Sequence, residues 1–441
     1  MRLRDAAIVT SPSVRPAVWF WATAALIVAA IAWTHGSVLA AGFRADDYFV
    51  IRPWTSDQIR HVLGGSWDPL GVQDPYHRPL TAFYQAAWFP LFGYNARAMH
   101  AVSLVELGLV ALGLALVVSR ELRQPAAGTL AAIIFIVHPM VPDSTSAWIF
   151  NQMSLLADLT VVAALLAWQW ARVGRARRWL LVWSIAAVSV YIKEDGAMLV
   201  PAILTLQWWR ARTTGHDARP SRGVVASGLA VLAVLLAIRV ATYPTASPWP
   251  PTFAALPYYV HEWLSGPYHV LLRLPGDGVA GVPGNIGVVL ALVSAALLTW
   301  RRPTWSPASG LLVSAAILLW WCGAPLLFIS GPTRSHLITL SAALMVTGAA
   351  AVIMESATLA RQRYVVIGAG VAILVSLSLA SRAMNTHYAP CAPDTLHQDE
   401  IVRTWDVVAP ELRAWLGEKR RACETGTYQP LPADFVAHPP R

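Results

Sequence analysis

Five stretches of this chain carry side chains that could do acid–base or anion-binding chemistry. Asp46 and Asp47 stand together in Phe43-Arg44-Ala45-Asp46-Asp47-Tyr48, and His77 and Arg78 lie in Tyr76-His77-Arg78-Pro79-Leu80. His138 precedes Pro139, with Asp143 five residues beyond it. Lys193, Glu194 and Asp195 are consecutive, and Arg334 stands two residues before His336. A carboxylate can take a proton from a nucleophile, while Lys, Arg and His can hold an anionic group. A second acid nearby raises the pKa of the first and suits it to the work of a base. Arg grips phosphate oxygens through two parallel hydrogen bonds; Lys acts as a point charge. Each stretch also has a plainer explanation. Paired acids are common in solvated loops, His-Pro stops a helix, Lys-Glu-Asp makes a soluble turn, and Arg334 could be a snorkelling anchor.

The elements that must position these residues are apolar. Of 441 residues, 56% are hydrophobic and only 13% charged, against about 25% charged in a soluble protein. That balance excludes intrinsic disorder, a coiled coil and a small disulfide-stapled domain, and argues against an ordinary soluble enzyme. At roughly 20 residues per crossing, the chain has room for ten or eleven spans. Apolar segments fall at about 17–40, 97–119, 126–138, 148–171, 178–192, 196–209, 223–242, 284–300, 308–330, 337–354 and 364–381. The fold class expected is an all-α polytopic membrane protein with about eleven transmembrane helices, the first retained as a span, since no clear cleavage site follows it.

The basic residues then orient it. With the N-terminus in the cytoplasm, the inner loops hold Arg120, Arg123, Arg172, Arg175, Arg177, Arg178, Arg210, Arg212, Arg219, Arg222, Arg301, Arg302, Arg361 and Arg363, while the short outer connections hold only Lys193 and Arg334. This is the positive-inside asymmetry, and it accounts for the net charge of +9 with no nucleic acid partner. All five chemical stretches then fall at the outer surface. Two outer segments are long. Residues 42–96 should carry amphipathic helices around Thr55–Leu63 and Pro79–Phe92, and 243–283 is rich in Pro, Tyr and Trp, as suits the interface. Residues 382–441 form a polar outer tail, where Cys391 and Cys423 either pair, as an oxidising compartment permits, or stay free thiols. Only Lys193 and Lys419 of the 33 basic residues are lysines, a bias that points to a GC-rich bacterial genome.

Taken in order, the stretches resemble the membrane O-mannosyltransferase-like proteins of the GT-C glycosyltransferase class, over roughly residues 40–340. The matching residues are Asp46-Asp47, Tyr76-His77-Arg78-Pro79-Leu80 (one residue longer than the relatives' Tyr-Arg-Pro-Leu), His100, His138-Pro139 with Asp143, Ser154-Leu155-Leu156-Ala157, Lys193-Glu194 leading to Pro201, and Arg334. The resemblance implies a catalytic body over 1–381 and transfer of a sugar from a polyprenyl-phosphate carrier to a hydroxyl of a protein or cell-envelope glycan. It places the reaction at the outer face of a bacterial inner membrane. It makes Asp46 the first choice and Asp47 the second for general base, with Asp143 a further catalytic candidate. Lys193, Arg334 and Arg78, with His138, His77, Glu194 and His336, would hold lipid phosphate or sugar. A divalent cation is possible, but no metal-ligand spacing is present. The chain departs further from the relatives: Asp143 stands where they usually have Glu, Asn151-Gln152-Met153-Ser154 replaces an Arg-Lys-Asp-like run, and the 382–441 tail stands where some eukaryotic relatives have C-terminal helical repeats. Two other readings stay open, a polytopic transporter or flippase, with Glu106 and Arg239 as its likeliest charges within the spans, and a non-catalytic scaffold that kept the GT-C body.

Overall fold

Long runs of Ala, Leu, Val and Ile with few breakers have one good way to satisfy their backbone in an apolar medium, the α-helix, whose hydrogen bonds are internal. In a computed structural model of the chain, the described residues are 16–44, 47–64, 77–138, 141, 148–170, 175–193, 196, 199–214, 222–242, 282–301, 306–323, 336–357, 359–386, 389–404 and 408–430; they form helices and no strand. Each expected apolar segment coincides with one long helix. In chain order the helices are α1 (Pro16–His35), α2 (Asp47–Val50), α3 (Ser56–Gly64), α4 (Pro79–Ala86), α5 (Trp88–Phe92), α6 (Ala96–Leu122), α7 (Pro125–Val137), α8 (Gln152–Gln169), α9 (Arg175–Ile192), α10 (Leu199–Thr214), α11 (Arg222–Thr242), α12 (Val282–Trp300), α13 (Pro307–Gly323), α14 (His336–Ser356), α15 (Ala360–Thr386), α16 (Pro393–Arg403) and α17 (Pro410–Thr425).

Sequence signals set several of these ends. Pro occupies the first turn of α4, α7, α16 and α17, where its missing N–H costs nothing. The Asn95 side chain accepts from the Ala98 amide and caps α6, satisfying one orphan donor. The expected amphipathic helices of the 42–96 segment are α3, α4 and α5. The expected interfacial segment 243–283 lies almost wholly outside the described residues, apart from the start of α12.

The bundle core is built by α6 against α7 and α8, α8 against α9, and α14 against α7, α12 and α13. Small residues let these backbones approach. A Cβ on Gly113 would run into Val162, and one on Gly128 into the Ala115 carbonyl; such contacts are how helices associate without a hydrophobic driving force. The outer faces are apolar as well. Trp21, Val28 and Trp33 on α1, Leu290 and Leu297 on α12, and Val365, Val371 and Val375 on α15 are all exposed, a surface that suits lipid rather than water. The chain is an integral membrane protein. Among the described residues, four helical stretches are long and apolar enough to cross a membrane by themselves: Ala17–Ala40, Ala96–Leu122, Gln152–Gln169 and Arg361–Thr386.

Polar clips show which helix ends share a face. The Asn385 amide donates to the Thr34 carbonyl at 2.6 Å, and His35 Nε2 meets the Ile136 carbonyl at 2.9 Å, so α1, α7 and α15 all finish at the same end. At the opposite end Trp19 donates to the Pro125 carbonyl at 3.1 Å, joining the starts of α1 and α7. A common direction for these three helices is what the arginine placement predicts.

A second core closes the first of these ends. Phe43, Tyr48, Val50 and Ile51 from the first connection pack with Tyr94, Met99 and Trp148, and with Val402, Val408, Leu412 and Leu416 from the C-terminal segment. Residues 382–441 are thus more than a polar extension: α15 runs on to Thr386, and α16 and α17 form an antiparallel pair closed by a Cys391–Cys423 disulfide. Of the two alternatives for these cysteines, pairing is the one observed.

Candidate active site

The start of α8 gathers the candidate cations. Lys193, the residue after α9, points its Nζ at Ser154 Oγ at 3.4 Å. The Arg78 guanidinium, at the N-cap of α4, reaches Met153 Sδ at 3.5 Å. Two cations from distant parts of the sequence therefore land on neighbouring residues of one helix N-terminus, and both are buried. His77 is buried beside them, its ring edge-on to Tyr191 at 6.0 Å, two residues before Lys193. Thr81 Oγ1 donates to the Ile192 carbonyl at 2.5 Å, which locks α4 to the end of α9 and so fixes Arg78 relative to Lys193. The first turn of α8 adds its own partial positive charge.

The stretch Asn151-Gln152-Met153-Ser154, which lacks the charges of the relatives, is a hub instead. Gln152 donates from Nε2 to the Met99 carbonyl at 3.0 Å and to Ser103 Oγ. The Tyr84 hydroxyl donates to Glu106 Oε1 at 2.5 Å and faces Gln152 Oε1 at 3.5 Å. Burial, with the Glu106 carboxylate next in effect, pushes the Tyr84 hydroxyl far above its usual pKa, so it stays a donor. Glu106, the charge that the transporter reading would use, is held by a residue of the amphipathic α4. The polar side chains of this stretch thus place α8 against α6, while Met153 and Ser154 face the two cations.

The acidic loop meets the same turn. Asp47 opens α2, is fully buried, and accepts the Arg44 amide on Oδ2 at 3.0 Å. Helix α2 packs on the Ile149–Asn151 3-10 turn that leads directly into α8. His100 Nε2 meets the Gly42 carbonyl at 3.3 Å and holds the loop to α6. His138 is buried at the C-terminal cap of α7, two residues beyond the carbonyl that His35 engages. Asp46, Asp143, Glu194 and Arg334 lie outside the described residues, and His336 is described only as the first residue of α14. The structure thus brings Lys193, Arg78 and His77 to the start of α8, and sets α2, which Asp47 opens, on the turn before it. Among the described residues, no three His, Cys, Asp or Glu side chains gather in a way that could hold a metal ion.

Sequence reasoning missed Asp158. It is buried inside α8, four residues after Ser154 and hence on the same helix face. Its signal was plain: one acid within the apolar run Leu155–Leu166, where intramembrane ionisable residues are functional candidates by default.

No protein-family model and no curated protein matches the chain. Solved structures do. The oligosaccharyltransferase of Archaeoglobus fulgidus in complex with zinc and sulfate superposes with a TM-score of 0.52 at 14% identity, over 95% of this chain and 59% of that protein. The same enzyme tethered to an acceptor peptide containing the NVT sequon gives a TM-score of 0.51 at 10% identity, over 96% of this chain and 60% of that protein. The chain therefore spans about three-fifths of that enzyme's length. At these identities the likeness is one of architecture. The helical arrangement that presents Lys193 and Arg78 at the head of α8 is the fold shared with that oligosaccharyltransferase.

Proposed function

We propose that the chain is a membrane glycosyltransferase that moves a sugar from a polyprenyl-phosphate carrier to a hydroxyl acceptor, on a protein or a cell-envelope glycan. The observation that carries this reading is the meeting of buried Lys193 and Arg78 at Ser154 and Met153. A lipid phosphate is the leaving group, and its charge grows as the glycosidic bond breaks. Fixed cations in a water-poor site stabilise that growing charge most effectively, and a helix N-terminus is a ready anion site. The GT-C fold supports the same chemistry.

In this reading the acceptor oxygen attacks the anomeric carbon, the carbon–oxygen bond to phosphate breaks, and the electron pair leaves on the phosphate. Asp46 takes the acceptor's proton, and a single displacement inverts the anomeric centre. The engagement of Asp47 with the Arg44 amide supports Asp46 as the base and Asp47 as the residue that shapes its loop. Asp143, His138, His77, Glu194 and His336 would orient the sugar and acceptor, with Arg334 a third phosphate contact. Eleven crossings over a catalytic body at 1–381, with α16 and α17 in the outer compartment of a bacterial inner membrane, complete the reading; the arginine distribution and the shared face of α1, α7 and α15 support it.

The test is incubation of the purified protein with radiolabelled polyprenyl-phosphate sugars and membrane acceptors. Wild type should consume a donor and label an acceptor. Asp46→Asn should abolish labelling with expression and lipid binding near normal, a loss of about 10²–10⁴-fold. Full activity in both Asp46→Asn and Asp47→Asn would remove the mechanism.

A further inference from the structure

The C-terminal helix pair grips the acidic loop at several points. Arg44 Nε donates to Gln398 Oε1 on α16 at 2.8 Å, while the same guanidinium lies over the Trp148 ring at 5.2 Å. The Arg44 backbone amide is the donor to Asp47. One residue therefore ties the acidic loop to α16 and to the turn that precedes α8. Beneath it Asp399 of α16 and Lys419 of α17 form an ion pair at 2.6 Å, both almost fully buried. Aromatic rings enclose the pair: Lys419 lies over Trp415 at 5.7 Å and over Tyr428 at 5.9 Å. Tyr48, next to Asp47 in sequence, packs on Trp415 with ring centroids 6.4 Å apart. Burial pushes the Tyr48 hydroxyl well above its usual pKa, with the Asp399 charge adding to the effect. The Cys391–Cys423 disulfide joins the start of α16 to the end of α17, so the grip is closed by a covalent bond at the far side of the pair.

A buried ion pair is a poor way to gain stability, since desolvation offsets most of its attraction; its best-attested use is to fix one arrangement among several. Here the arrangement fixed is that of α16 and α17 against Tyr48, and through Arg44 that of Asp47. We infer that the disulfide-closed C-terminal pair is the positioning element of the first outer loop, acting through Arg44 on Asp47 and α2, so that this loop keeps its register with the turn that leads into α8. This rests on the glycosyltransferase reading. Arg44 is a positioning residue and touches no reacting atom.

The test uses the full-length protein in lipid nanodiscs, with polyprenyl-phosphate sugars as donors. Arg44→Ala should lower kcat at least about tenfold, because small misplacements of a catalytic group are costly, while KM for the donor changes less than about twofold, the cations of α8 being untouched. Arg44→Lys should recover part of kcat. In parallel, hydrogen exchange of the 47–51 amides should quicken at least about tenfold in Arg44→Ala and after reduction of the disulfide, with the α8 amides unchanged. Wild-type kcat in Arg44→Ala, or unchanged exchange in both states, overturns the inference. Absence of transfer by wild type with every donor tried would instead sink the glycosyltransferase reading, and the exchange arm would still decide whether the pair holds the loop.

Discussion

Between α6, α7 and α8, the packing is made by small residues. Gly113 and Gly128 sit where no side chain fits, and the surrounding positions are Val, Leu, Ile and Ala. At the end where the acidic loop lies, burial is achieved with groups that cost more to hide: Asp47, Arg78, Lys193, Asp399 and Lys419, together with Tyr48 and Trp148. The bundle could slide or repack at modest cost, because lipid is as apolar as its own interior. The polar end has no such freedom. Each of its buried charges has to meet a partner, and a partner sits at only one place. Precision is therefore concentrated at the end that carries the buried charges, and the bundle serves as the frame.

The sharpest way to break this contrast is to remove one member of the Asp399–Lys419 pair. Lys419→Met leaves a buried carboxylate alone and should cost about 3–5 kcal/mol, read as the thermal unfolding midpoint in nanodiscs. The double variant Asp399→Leu/Lys419→Met should recover most of it. If the double is no better than the single, packing around the pair rather than charge sets the stability of this end. Next, Lys193→Met should lower transfer about 10²–10³-fold, as loss of one charge-stabilising donor does, with the unfolding midpoint little changed; loss of stability without loss of rate would make Lys193 a structural residue. In the bundle, Gly128→Val forces α6 and α7 apart and should cost about 1–3 kcal/mol, with kcat following only through the amount folded. The smallest effect belongs to the clip between α15 and α1. Asn385→Leu should cost about 1 kcal/mol, the usual scale of interhelical hydrogen bonds in membranes. A cost as large as that of Lys419→Met would erase the distinction between the two regions.

Much of this was legible beforehand. Apolar runs located the long helices among the described residues, because hydrophobic length acts locally along the chain. The amphipathic α3, α4 and α5 were legible for the same reason. The cations were recognised by type, but their meeting point was not. Asn151-Gln152-Met153-Ser154 reads as a gap when compared with charged relatives, yet it is the platform where Lys193 and Arg78 land. Asp158 was legible as a lone acid in an apolar run and was passed over in favour of the five clustered stretches.

The C-terminal segment shows the limit most clearly. Composition marks residues 382–441 as polar and leaves Cys391 and Cys423 as pair or free thiols; nothing in it says that Lys419 would be buried against Asp399, or that Gln398 would meet Arg44. The sequence by itself determined that the chain lies in a membrane as helices, since that follows from transfer energies summed over short windows. The tertiary structure alone decided which polar groups meet, because a contact such as Arg44 with Gln398, 354 positions apart, depends on the path of the whole chain, and no local pattern of residues encodes that path.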